Sequence, residues 1–237
     1  MKKLISVCLL IAVLVSLCAC GGNNQEAAAA ATLDPTSPEA MYGHIDQSQK
    51  QDGVYQIWNA EGVQNFLNNP GESFQLLCNV DMGGAVIAPI GEFTGKLDGD
   101  NFTISNFTVQ GGSEENFGFI CVNKGELVDL VLDNVTFQPG TNAKNIGTLA
   151  GDNQGRVNRC TVGGTMAVTQ APQGANCGGL LGINSGNVQN TNTAVALNYQ
   201  VPGAANIGGL VLFGLIILSV LKFSLWKKRT VKTTDEK

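Results

Sequence analysis

The sequence contains a single histidine, His44, among 237 residues. His44 lies in a stretch rich in Ala, Gly, Asn, Ser and Pro that shows no apolar period. A triad hydrolase needs a histidine that accepts the proton of its nucleophile, and this position does not suit that role. The phosphate-binding pattern GxxxxGK[ST] is also missing. These two absences argue against triad hydrolysis and against P-loop nucleotide chemistry.

Positive charge is scarce in residues 20–221. Six Lys and Arg residues stand against seventeen Asp and Glu residues there, a net charge of −11. A nucleic-acid-binding surface needs Lys and Arg to neutralise phosphates, so we expect no nucleic-acid partner. The acidic balance otherwise indicates only that this part of the chain is well solvated.

The N-terminus has the layout of an export signal. Lys2 and Lys3 precede an apolar run over residues 4–17, and Cys20 follows in the sequence LCAC. This arrangement resembles the lipobox of bacterial lipoproteins, which implies that residues 1–19 are removed and that Cys20 carries lipid. An ordinary signal peptide and an uncleaved membrane helix are the alternatives, although the run is short for a spanning helix.

The C-terminal part has no charge over residues 160–221. Residues 207–221 are almost entirely apolar, and extension to Trp226 gives twenty residues, enough at about 1.5 Å each to cross a hydrocarbon core of about 30 Å. The pattern predicts a transmembrane helix over residues 205–226 and a basic tail over residues 227–237, which the positive-inside rule places in the cytoplasm. A buried core helix and a cell-wall sorting signal are alternatives, but no LPxTG pentapeptide precedes the run. We therefore expect a membrane-anchored protein at the bacterial cell surface.

The remaining chain divides into a tether and a domain. Residues 20–51 lack an apolar period and have the composition of a flexible tether. Residues 52–204 form the predicted folded domain.

The cysteines of this domain are even in number, which permits disulfides in an exported protein. Their long spacing matches no zinc pattern, and three of them replace apolar residues of neighbouring segments. This favours small buried side chains, and disulfide pairing is left open. The four are Cys78, Cys121, Cys160 and Cys177.

A repeat of about thirty residues begins near Phe117, Ile146 and Cys177. A leading glycine recurs at intervals of 29 and 31 residues, and a turn glycine recurs at intervals of 30 and 31. These glycines are Gly118, Gly147 and Gly178, followed by Gly125, Gly155 and Gly186. So steady a period predicts stacked equivalent coils. A fourth repeat starts at Ile207, but it lacks the turn, so we assign it to the predicted membrane helix.

Apolar residues follow each turn glycine at fixed offsets, in the alternation that is typical of strands. We predict a small parallel β-helix, an all-β solenoid whose equivalent residues stack in ladders about 4.8 Å apart. The predicted core ladders are Leu127, Val157 and Val188; Leu130 and Cys160; and Leu132 and Val162. The ladder of Leu130 and Cys160 continues at Thr191, and that of Leu132 and Val162 continues at Thr193. Because threonine is more polar than the residues it follows, the third coil should have the weakest core. Asn123, Asn153 and Asn184 stand at the turns, because asparagine tolerates left-handed backbone and its side chain bonds local backbone groups.

The segments IGTLAGDNQGRVNRC and CGGLLGINSGNVQNT resemble the GLUG motif of bacterial surface proteins. Four upstream segments follow the usual lead-in of those proteins in order, so the resemblance covers roughly residues 54–211. These segments are residues 55–69, 74–84, 88–109 and 116–134. The resemblance implies a right-handed parallel β-helix in a secreted, adhesin-like protein, and it implies no known catalytic residues.

The lead-in also predicts one short helix. Asn59 can cap its N-terminus, and Glu61 in the first turn suits the helix dipole. Val63, Phe66 and Leu67 fall on one apolar face. We expect this helix to cover the N-terminal end of the β-helix, where open strand edges would otherwise be exposed.

Enzymes that cleave polysaccharides need clustered carboxylates. The candidates are Asp81, Asp98, Asp100, Asp129 and Asp133. The sequence LDGDN resembles the front of a calcium loop, but no DxDxDG…E pattern completes it. Arg159 and Gly163 replace the last two candidates in the next coil, so no stripe of carboxylates accumulates along the coils. We therefore expect no enzyme, no metal and no cofactor.

The function that follows is a structural or adhesive role at the cell surface. The membrane is the one expected partner, and a host, matrix or glycan ligand stays unidentified. A polysaccharide-binding or polysaccharide-cleaving module is the alternative. A third interpretation is a truncated member of a longer family.

Overall fold

The computed structural model describes residues 34–200 and 206–208. The predicted signal peptide, Cys20 and the basic tail of residues 227–237 lie outside these residues. The described part folds into two short helices and twenty short strands.

In chain order, the helices are α1 (Pro38–Tyr42) and α2 (Ala60–Asn68). The strands are β1 (Lys50–Gln51), β2 (Val54–Ile57), β3 (Ser73–Leu76), β4 (Val80–Ile87), β5 (Ile90–Phe93), β6 (Lys96–Asp98), β7 (Thr103–Gln110), β8 (Asn116–Phe117), β9 (Ile120–Asn123), β10 (Glu126–Val128), β11 (Val131–Gln138), β12 (Asn145–Ile146), β13 (Ala150–Asn153), β14 (Arg156–Asn158), β15 (Thr161–Val168), β16 (Asn176–Gly178), β17 (Leu181–Asn184), β18 (Asn187–Gln189), β19 (Asn192–Tyr199) and β20 (Asn206–Gly208).

Successive strands enter four sheets in turn, and each sheet pairs strands from successive coils. The first sheet has the order β1-β2-β3-β6-β10-β14-β18, and the second has the order β4-β7-β11-β15-β19. The third sheet is β8-β12-β16-β20, and the fourth is β5-β9-β13-β17. The strands of the described residues pair in parallel except for β1 with β2. The described chain is thus a β solenoid of about four turns, and the predicted parallel β-helix is confirmed.

Alternating side chains explain why these segments become strands with one face inside. In β11, Leu132, Val135 and Phe137 are buried, whereas Asp133 and Asn134 are exposed. Two residues separate the first two buried positions, which breaks the strict alternation. The backbone bulges at Asn134, which has a φ of 50°, and this bulge accommodates the extra residue. Leu132 and Val135 therefore both face the core.

The helix α2 lies between β2 and β3, where later coils have strands. Asn59 caps it as predicted, because its side chain accepts a hydrogen bond from the Gly62 amide at 3.1 Å. Val63 and Phe66 are buried. The ring of Phe66 packs within 6 Å of three others, and these are Phe74, Phe93 and Phe119. The helix therefore covers the N-terminal end of the core, where aromatic rings pack together.

The predicted tether is wrong over residues 35–51. This segment contains α1 and β1, and Gln47 within it is only 7% exposed. Gln47 donates to the side chain of Asn59 at 2.7 Å and accepts from the Trp58 amide at 3.0 Å. Polar side chains thus fix the segment to the solenoid, and such pairing leaves no apolar period in the sequence.

The predicted transmembrane helix of residues 205–226 is wrong at its start. Asn206–Gly208 is strand β20, paired in parallel with β16 in the register Cys177 to Ile207. The repeat phase, rather than apolar content, decides the conformation of these residues. Within residues 34–200 and 206–208, no helix is long and apolar enough to span a membrane. Residues 209–226 lie outside the described part.

Candidate functional surfaces of the solenoid

The structure brings the predicted core residues together inside the solenoid. Leu127 pairs in register with Val157, which pairs with Val188. Leu132 pairs with Val162. Leu130 and Cys160 are also stacked, because the amide of Thr161, which follows Cys160, donates to the Leu130 carbonyl at 2.8 Å. All of these side chains are at most 1% exposed except Val188, which is partly exposed in the last coil.

The repeat glycines occupy positions where the backbones of adjacent segments nearly touch. A Cβ atom on Gly155 would lie 2.2 Å from the Gly125 carbonyl oxygen, and one on Gly186 would lie 2.2 Å from that of Gly155. On the leading glycines Gly147 and Gly178, it would lie 2.3 and 1.8 Å from carbonyl oxygens of the same coil. Their repetition therefore reflects a lack of space for any side chain. Gly118 is less tightly enclosed, but a Cβ there would still lie 2.8 Å from the Gly147 carbonyl oxygen.

A buried amide ladder runs through the fourth sheet. The side chain of Asn123 donates to Asn153 at 2.6 Å, and Asn153 donates to Asn184 at 2.6 Å. The expected bonding to local backbone occurs at two of these residues, since the Gly125 amide donates to the Asn123 side chain at 3.2 Å and the Asn184 side chain donates to the Gly186 carbonyl at 3.3 Å. None of the three has a positive φ. Left-handed backbone occurs instead at Asp129 and Arg159, with φ values of 52° and 53°.

A second amide ladder, which was not predicted from the sequence, runs along the third sheet. Each side-chain amide donates to the preceding one at 2.7 to 3.0 Å. Its members are Asn116, Asn145, Asn176 and Asn206. The signal was present in the sequence, because an asparagine stands two residues before each leading glycine. The two ladders tie successive coils together by side chains as well as by backbone.

The outer side of the first sheet carries opposite charges. Arg156 pairs with Glu126 at 2.9 Å, and Lys96 pairs with Asp98 at 3.4 Å. Arg159 holds Asp129 of the preceding coil through both carboxylate oxygens, at 2.5 and 2.6 Å. Every Lys and Arg of the described residues takes part in one of six ion pairs. The charged groups of the described part that remain outside these ion pairs are therefore carboxylates.

Four of the five aspartates considered for chemistry are divided between two faces, and the fifth lies in a turn. Asp98 and Asp129 lie in the charged cluster of the first sheet, and the hydrogen bonds from Arg159 lower the pKa of Asp129. Asp81 and Asp133 lie on the second sheet, where a backbone hydrogen bond from Gly83 lowers the pKa of Asp81. Asp100 follows β6 in a turn at a φ of 47°. The carboxylates with a lowered pKa are thus held ionised, as ion-pair and turn partners.

The outer side of the second sheet presents hydroxyl and amide groups, and we call it the threonine face. Thr108, Thr136 and Thr165 are in register on successive coils, and Gln110 pairs with Gln138 beside them. Thr165 and both glutamines are exposed. Their inward neighbours, such as Phe137 and Met166, are fully buried. Core packing therefore holds this column of polar groups at the strand spacing of about 4.8 Å.

The four cysteines within residues 34–200 are free thiols. Cys121, Cys160 and Cys177 are at most 5% exposed, and burial raises the pKa of each to about 11. Cys78 is partly buried, and its thiol donates to the Trp58 carbonyl at 3.1 Å. These side chains serve as small core groups.

Comparison with known proteins gives one partial similarity. The chain is 36% identical over 124 residues to Halomucin of Haloquadratum walsbyi (strain DSM 16790 / HBSQ001). The alignment covers 47% of this chain and 1% of Halomucin, so the chain spans only a very small part of that protein. No family model matches the sequence, and no solved structure matches it.

Proposed function

We propose that this chain is an exported protein, anchored at the cell surface by lipid on Cys20, with a structural or adhesive role. The observation that carries the adhesive part is the threonine face, where Thr108, Thr136 and Thr165 repeat from coil to coil. A flat array of hydroxyl and amide groups can bind an extended polar partner through several weak contacts at once. Multivalent contact of this kind raises avidity without a deep pocket.

Further observations support the setting. The leader and lipobox pattern favour export, and the acidic balance of residues 20–221 suits a solvated outer surface. The partial similarity to Halomucin is in keeping with a surface protein. We further propose that the solenoid is right-handed, since crossovers between parallel strands of one sheet are right-handed in about 98% of cases.

Adhesion is tested on bacteria that display the full chain. We expect Thr136→Lys with Thr165→Lys to reduce attachment to host-cell or matrix layers about tenfold, which corresponds to about 1.4 kcal/mol. Asn187→Lys, on the exposed outer side of the first sheet, is the matched control and should leave attachment unchanged. Equal attachment by the wild type, the double variant and the control, at equal surface amounts, would contradict the adhesive proposal.

Export and anchoring need a separate measurement. Protease added to intact cells should degrade the solenoid, and radiolabelled fatty acid should enter the protein. Cys20→Ser should abolish the label. Retention of the label by that variant, or full protection from protease, would contradict surface anchoring by Cys20.

The same polar face favours one alternative, which is polysaccharide binding. A glycan array with the full chain separates the two roles. Sharp selectivity for one glycan, lost with the two threonine substitutions, would replace the adhesive proposal. Cleavage of a polysaccharide that is lost with Asp98→Ala or Asp129→Ala would make the protein an enzyme, contrary to our expectation.

A further inference from the structure

Residues 35–51 lie against the N-terminal end of the solenoid, and we call them the strap. The strap contains α1 and β1, and it joins the solenoid where β1 pairs with β2. None of the residues of α1 is buried, and both residues of β1 are exposed. Gln47 is the one residue of the strap that is buried.

Hydrogen bonds centred on Gln47 attach the strap to the solenoid. The Gln47 side chain donates to Asn59 at 2.7 Å and accepts from the Trp58 amide at 3.0 Å. Its backbone carbonyl accepts from the Asn65 side chain at 2.7 Å. A Cβ atom on Gly62 would lie 2.0 Å from the Gln47 side-chain oxygen, so the glycine in α2 makes room for this attachment.

The second attachment is a small β hairpin. β1 pairs with β2 over only two residues, in antiparallel register. The turn between them is Asp52-Gly53, and both residues have a positive φ, as a tight hairpin turn requires. Lys50 also pairs with Glu72 at 2.6 Å, but both side chains are at least 36% exposed, and exposed ion pairs contribute little to stability.

The chain is held much more firmly directly after this hairpin. β2 pairs in parallel with β3, and the partners Ile57 and Leu76 in that pairing are both fully buried. The ring of Phe74 in β3 packs against Phe66 of α2, with centroids 5.3 Å apart. Parting β2 from β3 would expose these core side chains to water, which costs far more free energy than parting the strap from its polar partners.

The position of the strap in the chain determines what a pulling force does first. Cys20 precedes the strap in the sequence, and β2 follows it. A force between an anchor on Cys20 and a ligand on the solenoid therefore passes through the strap before it reaches β2. It opens the hairpin from its end, one residue pair at a time, so each step breaks only a few hydrogen bonds.

We propose that the strap is a load-sensitive extension, which peels from α2 and β2 under tension while the solenoid stays folded. Release of its seventeen residues lengthens the connection to the anchor by at most about 60 Å, since an extended residue spans about 3.3–3.6 Å. The added length lets a bound solenoid move with its target before the load reaches the core. Because α2 and β2 stay folded, the strap re-forms on them when the load falls. This inference rests on the proposed attachment through Cys20.

Optical tweezers on the full chain, purified in mild detergent, test the order of unfolding. The two handles are coupled to azide-bearing amino acids that replace Leu33, directly before the described residues, and Gln138, which is exposed on β11. We expect a first step that adds about 40–60 Å of contour length, at a lower force than any later step. A first step of about 100 Å or more, the length of a coil of about thirty residues, would show that the strap and the solenoid unfold together and would overturn the proposal.

Hydrogen exchange without load gives a second measurement. Segments with few buried apolar contacts open at low free energy, so amides of the strap should exchange on the order of 100-fold faster than those of β3. Gln47→Ala should speed exchange across the strap by a further factor of about ten and leave β3 unchanged. Gln51→Ala is the matched control, because Gln51 is exposed on β1 and the backbone pairing is kept. Strap exchange as slow as that of β3, or equal acceleration of both by Gln47→Ala, would also overturn the proposal.

These outcomes can be told apart from failure of the proposed function. Neither measurement uses lipid or an adhesive ligand, so the loss of anchoring by Cys20 would leave the measured order of unfolding intact. Conversely, a strap that unfolds together with the solenoid would leave attachment by the threonine face untouched.

Discussion

The side-chain amide of Asn123 donates a 2.6 Å hydrogen bond to Oδ1 of Asn153, thirty residues later in the chain. Both side chains are completely buried. Asn153 passes the bond on to Asn184 at 2.6 Å, so its amide is both acceptor and donor. A polar chain of this kind stabilises a core only when each member is satisfied.

Removal of the middle member should therefore be costly. Asn153→Ala leaves the Asn123 donor and the Asn184 acceptor without a partner, and we expect a loss of about 2–3 kcal/mol in the free energy of unfolding. Asn145→Ala removes the two equivalent hydrogen bonds, to Asn116 and from Asn176, in the partly buried ladder of the third sheet. Water can replace these bonds. It should cost about 1 kcal/mol or less. Urea unfolding of both variants checks the order, and equal losses would contradict the role of burial.

Alanine substitution should change stability in opposite directions at a crowded glycine and at an uncrowded one. Gly155→Ala places a Cβ 2.2 Å from a backbone oxygen, so neighbouring coils must separate, and we expect a loss of about 3 kcal/mol or more. Gly91 has open space within 4 Å of where a Cβ would lie, and it has no positive φ. Gly91→Ala should leave stability unchanged or raise it by about 0.4–1 kcal/mol, because the unfolded chain loses freedom. Thermal unfolding of the two variants distinguishes crowding from a general intolerance of alanine.

The ion pair between Arg159 and Asp129 should make stability depend on pH. Hydrogen bonds from Arg159 lower the pKa of Asp129 in the folded protein, so the pair stabilises the fold above the unfolded value of about 3.9. That contribution is lost as the pH falls through the lowered pKa. We therefore expect the melting temperature of the wild type to exceed that of Asp129→Asn at pH 7 and to converge with it well below pH 4.

The control for this experiment is Asp133→Asn. Asp133 is exposed and lies outside the six ion pairs of the described residues. Its substitution should change the melting temperature little at either pH. A difference between wild type and Asp129→Asn that persists at low pH would show that the asparagine acts by another route.

Thiol reactivity should follow burial. Burial raises the pKa of Cys121, Cys160 and Cys177 to about 11, so at pH 8 these groups are protonated as well as enclosed. Among the four cysteines of the solenoid, Cys78 should react first with iodoacetamide, and the other three should react only after unfolding. Peptide mapping by mass spectrometry measures each site. Mass loss corresponding to a disulfide, or rapid labelling of Cys160, would contradict this arrangement.

Much of the fold could be predicted from local sequence. Glycines at intervals of 29 to 31 residues and the apolar positions after them define the coil, because each coil repeats the same packing. Asn59 and Phe66 likewise place the capping helix. The candidate functional surface was less predictable, because the threonine column depends on the register between coils. An asparagine stands two residues before each leading glycine, but a single coil does not indicate that these side chains meet.

The sequence by itself determined the period, the strand alternation and the positions without room for a side chain, since these depend on neighbours along the chain. The tertiary structure alone decided which polar groups meet across coils. Gln47, which the sequence placed in a tether, is a buried hydrogen-bond partner of Asn59. Ile207, which the sequence placed in a helix, lies in a strand beside Cys177. The physical reason is that an apolar run carries no information about its partner. Hydrogen bonding to the preceding coil selects strand geometry at residues 206–208, whatever the hydropathy of the run they begin.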